Sequence, residues 1–282
     1  MQAFRENLMK AVFLISALAS VAAVILICVF MFAGGIPPML EIGVGNFLGG
    51  KVWKPLEGLF GILPMIVGSI YVTAGAIIIG VPIAIFCAVY LAYFCPPGLY
   101  RIFKPLTELL AGIPSVVYGF WGLTFLVPII QKLTGTSGKG ILTASLLLGI
   151  MILPTVIGVA ESAVRAVPSA YYEGALALGA TKEQSVFFAT LPAARSGLLA
   201  GVVLGIGRAI GETMAVIMIA GNQAVLPESI TDGVRTMTAN VVLEMAYADI
   251  GLHRGALIAT AVVLFVFILL INLSFSALRK KV

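Results

Sequence analysis

Charge is scarce in this chain. Only 10% of its 282 residues are Asp, Glu, Lys or Arg, against 61% that are apolar. A water-soluble domain needs more polar cover than that. Histidine occurs once, at His253, and cysteine three times, at Cys28, Cys87 and Cys95. An odd number of cysteines, with no CxxC spacing and all in or beside apolar runs, supplies neither a disulfide framework nor a metal site. His253 is expected in a loop, with no chemical task. No HExxH, no GxSxG and no paired catalytic carboxylates appear, which removes the common hydrolase classes. A nucleotide-binding loop is missing too. GTSGKG, Gly135 to Gly140, has Leu133 where the P-loop needs its first glycine and Gly140 where it needs Ser or Thr. The expectation is a protein that is not itself an enzyme and holds no cofactor or metal of its own.

What is present is hydrophobic length. The mean hydropathy is +1.13, and the apolar residues gather in runs of about 20 or more, long enough to cross a hydrocarbon layer of about 30 Å. The spacing predicts an all-α membrane protein of six spans, Ala11–Ala33, Met65–Phe94, Leu109–Gln131, Gly140–Ala160, Ser196–Asn222 and Gly255–Leu278. Helices are required because backbone groups in lipid must find partners within their own segment. The first run follows Arg5 and Lys10 but continues for 23 residues without a charge. It is too long for the h-region of a cleaved signal peptide and fits an uncleaved signal anchor. Pro82, Pro114, Pro128 and Pro154 lie inside spans and mark kinks or breaks.

The net charge of +5 is a topology signal rather than a nucleic-acid footprint. With the N-terminus in the cytoplasm, inner segments hold ten Lys and Arg, including Arg279, Lys280 and Lys281, and outer ones six. The positive-inside rule then puts both termini in the cytoplasm. Gly34 to Pro64 becomes a Gly- and Pro-rich outer connection whose Trp53 suits the membrane interface. Glu108 and Glu161 fall near inner span ends, where plain interfacial roles are expected.

The inner connection Glu161 to Arg195 is more informative. Pro168 suits the first turn of a helix and Gly179 its stop. Thr181 followed by Gln184 makes a capping box that starts a second helix. A short helix held between two spans is a rigid knob for a partner, or simply a joint.

The fifth span carries both Arg208 and Glu212 near its centre. On an unbroken helix they lie about one turn apart on one face. Either charge at that depth costs roughly 2.5–3.5 kcal/mol, so both should face protein or a watery cavity. Gly197, Gly201 and Gly205 repeat every four residues, as do Gly207 and Gly211, so the span is expected to be packed on most sides. An internal ion pair is one reading, although Arg before Glu is the weaker order. The other is an anion pathway, with the guanidinium binding oxyanions bidentately and Glu212 limiting the positive charge. Thr213, Ser115, Tyr118, Asn222 and Asn240 are further candidates to line the path or its gate.

Three stretches and the inner loop carry a family resemblance. Glu173-Gly174-Ala175, then Gly179, then Leu191-Pro192 resembles the EAA loop of ABC importer permeases, with Gly174 and Ala189 as mild departures. LGIGRAIGETMAVIMIAGN, AGIPSVVYGFWGL and TMTANVVLEMA resemble the phosphate-specific ABC permeases of PstC type, the likeness running from about Gly58 to Ala277. The resemblance implies a type I importer permease fold, with residues 1–64 as a first span and outer loop and 65–278 as the core bearing a coupling loop at 161–195. It implies that Glu173, Gly174, Ala175 and Gly179 couple to an ATPase. It further implies a second permease (PstA type), an ATPase dimer (PstB type) supplying ATP and Mg chemistry, and an extracytoplasmic phosphate-binding protein (PstS type), all at the inner membrane. A permease for another oxyanion, and an ATP-independent channel or secondary transporter, remain as alternatives.

Overall fold

The computed structural model describes residues 2–281, with side chains described for residues 5–275 and 277. Arg279, Lys280 and Lys281 of the charge count therefore have side chains outside the described residues. Helix α1, Gln2–Ile42, continues well past Ala33 and ends where Gly43 takes a left-handed φ of 88°. A short α2, Val44–Gly49, leads to a two-stranded hairpin, β1 Trp53–Lys54 and β2 Leu59–Phe60, in which Trp53 pairs with Phe60. Trp53 is buried there, edge-on to Phe60, so it is not the exposed interfacial residue its position suggested. Helix α3, Leu63–Val89, passes unbroken through Pro82 and finishes in a π-turn over Tyr90–Phe94.

The third span departs most from expectation. Leu109 belongs to a separate helix α4, Pro97–Gly112, which leaves one face of Leu99, Ile102, Phe103, Leu106 and Leu109 exposed. The chain turns at Ile113–Pro114 and the span begins only at Ser115. Proline has no N–H and disfavours a helical residue before it, so the apolar run is continuous but the helix is not. Helix α5, Ser115–Trp121, passes through a π-turn over Gly122–Leu126 into α6, Val127–Thr134. Next come α7, Ile141–Arg165, intact through Pro154, and the short α8, Ser169–Ala177, with Gly179 at φ 89° just beyond it. Thr181 and Gln184 form the reciprocal capping box that opens α9, Lys182–Ser185. A π-turn over Val186–Thr190 joins α9 to α10, Leu191–Gly211. Then α11, Met214–Ile219, α12, Met237–Met245, and α13, Leu252–Lys281, complete the chain.

Six of these segments are long and apolar enough to cross a membrane: Arg5–Ile42, Leu63–Phe94, Ser115–Thr134, Ile141–Arg165, Lys182–Gly211 and Leu252–Phe275. The core is built around α3 and α7, which run parallel. Ser145 of α7 donates to the Val72 carbonyl of α3 at 3.2 Å, and a Cβ on Gly80 would meet the Gly149 carbonyl oxygen at 2.6 Å. Leu147, Leu148, Met151 and Ile152 are fully buried between them and their neighbours. The first span stands apart, packed on α13 where Gly35 meets Ala259 and Pro38 meets Gly255. The exposed leucines, valines and phenylalanines of α1 therefore suit lipid rather than water.

Candidate functional site

Helix α10 lies antiparallel on α7 along one glycine ridge. Added Cβ atoms would meet Ala163 at Gly197, Val159 at Gly201 and Val156 at Gly205, the last at 2.7 Å. Nothing larger than glycine allows this approach without a shift. The second ridge does the opposite, since Gly207 and Gly211 face open space. The span is thus packed on one side and bare on the other, which corrects the expectation of cover all round. Arg208 lies at the edge of the packed side. It is half-buried, and its Nη1 donates to Thr155 Oγ1 of α7 at 2.8 Å.

Arg208 and Glu212 do not share a helix face. Helix α10 ends at Gly211, and Glu212 has an extended backbone with ψ 130°. The four-residue spacing alone puts the two residues about one turn apart on one unbroken helix. The break is held by contacts that local propensity does not contain. The Thr213 hydroxyl donates to the Gly211 carbonyl at 3.2 Å, and the Thr238 hydroxyl, 26 residues on, donates to the Glu212 carbonyl at 3.2 Å. The Glu212 carboxylate turns forward and accepts the Ala215 N–H at 3.1 Å, capping the first turn of α11. Among the described residues no ion pair joins Arg208 and Glu212, so the guanidinium keeps its charge un-neutralised beside a broken helix.

The remaining candidates divide. Helix α5 packs on α11, where a Cβ on Gly119 would touch Met218 and Ala215. That brings Tyr118 near the break, but its ring is buried and its hydroxyl donates to the Leu110 carbonyl at 2.9 Å, bracing the α4–α5 turn rather than lining a surface. Ser115 is half-buried at the start of α5. Asn222 and Asn240 belong to a second cluster beyond the far end of α11. Arg235 gathers them, Nε donating to the Asn222 carbonyl at 3.0 Å and Nη1 to Asn240 Oδ1 at 3.1 Å. The same Nη1 pairs with Glu244 at 2.7 Å, and Glu244 also meets His253 at 3.1 Å. His253 opens α13 beneath Trp53 and Phe60, so it is part of a network and not a loop residue. Among the described residues, Asn222 Oδ1 and Asn240 Nδ2 are buried there with no hydrogen-bond partner. No sequence spacing linked these residues, which meet only through tertiary packing.

A model of the family described as "binding-protein-dependent transport system inner membrane component" matches residues 80–282. The chain belongs to this family. It is a permease subunit of an ABC importer, a multi-pass protein of the inner membrane. It is 39% identical to a probable ABC transporter permease, YqgH, of Bacillus subtilis, over 94% of this chain and 89% of that one. It is 34% identical to the phosphate transport system permease PstC of Mesorhizobium japonicum, over 87% of this chain and 81% of the other. Among solved structures, the inward-facing MetNI methionine ABC transporter overlays with a TM-score of 0.63 at 20% identity, covering 82% of this permease and 99% of that chain. A bacterial alginate importer overlays at 0.60 and 15% identity, covering 93% of this chain and 94% of that one. These overlays give the type I permease fold.

In the permease, α8 carries Glu173, Gly174 and Ala175 and ends before Gly179, whose left-handed φ only glycine adopts without strain. Glu173 and Gly174 are exposed, and Leu178 is 91% exposed beside them. Directly before this knob sits a residue whose importance sequence reasoning missed. Glu161 of α7 is only 2% exposed and accepts from Tyr100 at 2.8 Å, Lys104 at 2.9 Å and Arg165 at 2.9 Å. Arg165 also donates to the Leu91 carbonyl at 2.7 Å and lies over the Tyr100 ring. This cluster ties α4 and the end of α3 to the root of α8, so Glu161 is not an idle interfacial carboxylate. Glu108 adds only a 3.7 Å contact with Lys104. The hydrogen bond to Glu161 holds the Tyr100 phenol above its ordinary value, with burial adding to it. Burial pulls the Lys104 ammonium down, but the bond and charge of Glu161 outweigh it and leave the group raised.

Proposed function

We propose that this chain is the PstC-type subunit of an ATP-driven importer of inorganic phosphate. The observation that carries the reading is Arg208, a guanidinium within a membrane span, half-exposed, with one neutral partner and open space beside Gly207 and Gly211. A cation left un-neutralised in a span is costly unless an anion or a watery path faces it. Guanidinium matches the oxygens of a tetrahedral oxyanion. The PstC relatives at 34% identity supply the substrate name. The bare side of α10 and α11 is where the second permease, PstA type, completes the path, with Thr213 and Ser115 at its edge. Both termini and α8 then lie in the cytoplasm. There α8 seats in a PstB-type ATPase dimer that hydrolyses ATP with Mg, through Glu173, Gly174, Ala175 and Gly179. The hairpin end, with Asn222 and Asn240, faces the PstS-type receptor.

The test is uptake of radiolabelled phosphate in cells lacking this chain. Loss of high-affinity uptake, restored by the gene, supports the reading, while unchanged uptake overturns the substrate. Transport of a different oxyanion is the second reading, since a guanidinium matches other tetrahedral oxyanions equally well. Competition by sulfate or molybdate in the same assay separates the two.

A further inference from the structure

Helical hydroxyls in this permease usually direct their proton back along the chain. Thr124 donates to the Phe120 carbonyl at 2.9 Å, Thr134 to Ile130 at 2.7 Å, Ser162 to Gly158 at 2.8 Å and Thr260 to Ala256 at 2.8 Å. This is the habit of Ser and Thr within helices, because the carbonyl four residues earlier is the nearest acceptor. Thr155 is in the middle of α7 and departs from it. Its oxygen accepts from Arg208 Nη1 at 2.8 Å, and among the described residues its proton has no acceptor. A hydroxyl offers one donor and two acceptor lone pairs, so accepting from Arg208 leaves the donor uncommitted. The residue is half-buried and can be reached. Its location is fixed from both sides. Pro154 precedes it, and the close approach at Gly205 brings α10 down onto Val156, the residue after it.

We propose that Thr155 is a substrate-contacting residue of the pathway, whose O–H donates to the oxyanion while its oxygen holds the Arg208 guanidinium. The two side chains form a cradle that offers the anion more donors than acceptors, since the guanidinium only donates and one lone pair of Thr155 is already taken by it. The unused N–H groups of Arg208 and the O–H of Thr155 converge from two antiparallel helices on one tetrahedral anion. This extends the reading of Arg208 as an anion-pathway residue and rests on it. Such a cradle favours an unprotonated anion oxygen over a protonated one, because it presents hydrogens to be accepted. The contact spans the α7–α10 seam, so a shift of these helices during transport would separate the two donors and release the anion.

The experiment uses the permease assembled with its partner subunits in proteoliposomes and measures radiolabelled phosphate imported per ATP hydrolysed. Thr155→Val keeps the shape and removes the hydroxyl, and Thr155→Ser keeps the hydroxyl. Phosphate per ATP is expected to fall about tenfold in Thr155→Val and to stay within about twofold of native in Thr155→Ser. A ratio unchanged in Thr155→Val, whether or not both rates decline together, overturns the proposal and leaves Thr155 a packing residue. Equal loss in both variants also overturns it, since the hydroxyl is then not what matters. Arg208→Gln, measured alongside, separates the two readings. If Arg208→Gln abolishes import while Thr155→Val imports normally, the pathway stands and the cradle fails. If Arg208→Gln imports normally, the pathway reading itself fails.

Discussion

Glu161 and Arg208 are both charges set within spans of the bundle, and the fold treats them in opposite ways. Glu161 is closed off and accepts from a phenol, an ammonium and a guanidinium at 2.8–2.9 Å. Arg208 is half-open and meets one neutral hydroxyl. A buried carboxylate needs full pairing because any unmet charge is costly in that setting, and three donors from α4 and α7 supply it. Arg208 is left short of partners although Glu212 is four residues away and could have supplied one. The chain breaks the helix and turns Glu212 onto α11 instead. Saturation marks where the molecule is clamped, and under-saturation at Arg208 is what the proposed pathway rests on.

That contrast can be broken from either side. The largest expected effect is at Arg208. Arg208→Gln should lower phosphate uptake by at least about a hundredfold while the subunit still assembles, checked by uptake and co-purification of the complex. Near-normal uptake would make this arginine structural. Next is Glu161→Ala, which removes the acceptor shared by three donors and should cost roughly 2–4 kcal/mol, read as a lower melting temperature in detergent. A melting temperature equal to the native one would show that the cluster clamps nothing. Gly205→Leu comes third. Its side chain enters space that Val156 already occupies, for an overpacking cost of about 1–3 kcal/mol, and it should also part Arg208 from Thr155. Uptake and thermal stability should fall together in that variant. The smallest effect is that of pH. Tyr100 and Lys104 both hold their protons more tightly in the folded clamp than in the unfolded chain. Their contribution is complete below about pH 10 and is lost as the pH rises through the raised values. Melting temperature should therefore show no pH dependence from this pair between about pH 6 and pH 9 and should drop only in the alkaline range, more in the native protein than in Glu161→Ala.

Much of the architecture was legible because it is written in local pattern. Six apolar runs gave six spans. Pro168, Gly179 and the Thr181–Gln184 pair gave α8 and the start of α9. The Gly197–Gly201–Gly205 ridge announced a close helix contact, and the structure puts α7 there. The second ridge misled, since spacing identifies a small face but not whether a neighbour of the same chain fills it. The breaks were harder. Pro114 did signal one, yet hydropathy runs straight through Ile113–Pro114. The break at Glu212 depends on Thr238, and the Glu161 cluster on partners 57 and 61 residues away. Trp53 and His253 were misjudged for the same reason, because each is defined by the other's proximity.

The uncovered glycines, Gly207 and Gly211, make a stretch of wall with no opposite number among the described residues. On the reading proposed above, what sets their size is a second permease subunit. A larger residue at either place would leave the lone subunit as stable as before and still jam the finished assembly. Tolerance measured on the single chain would pass such a variant, and the constraint would appear only as matched changes in two sequences at once.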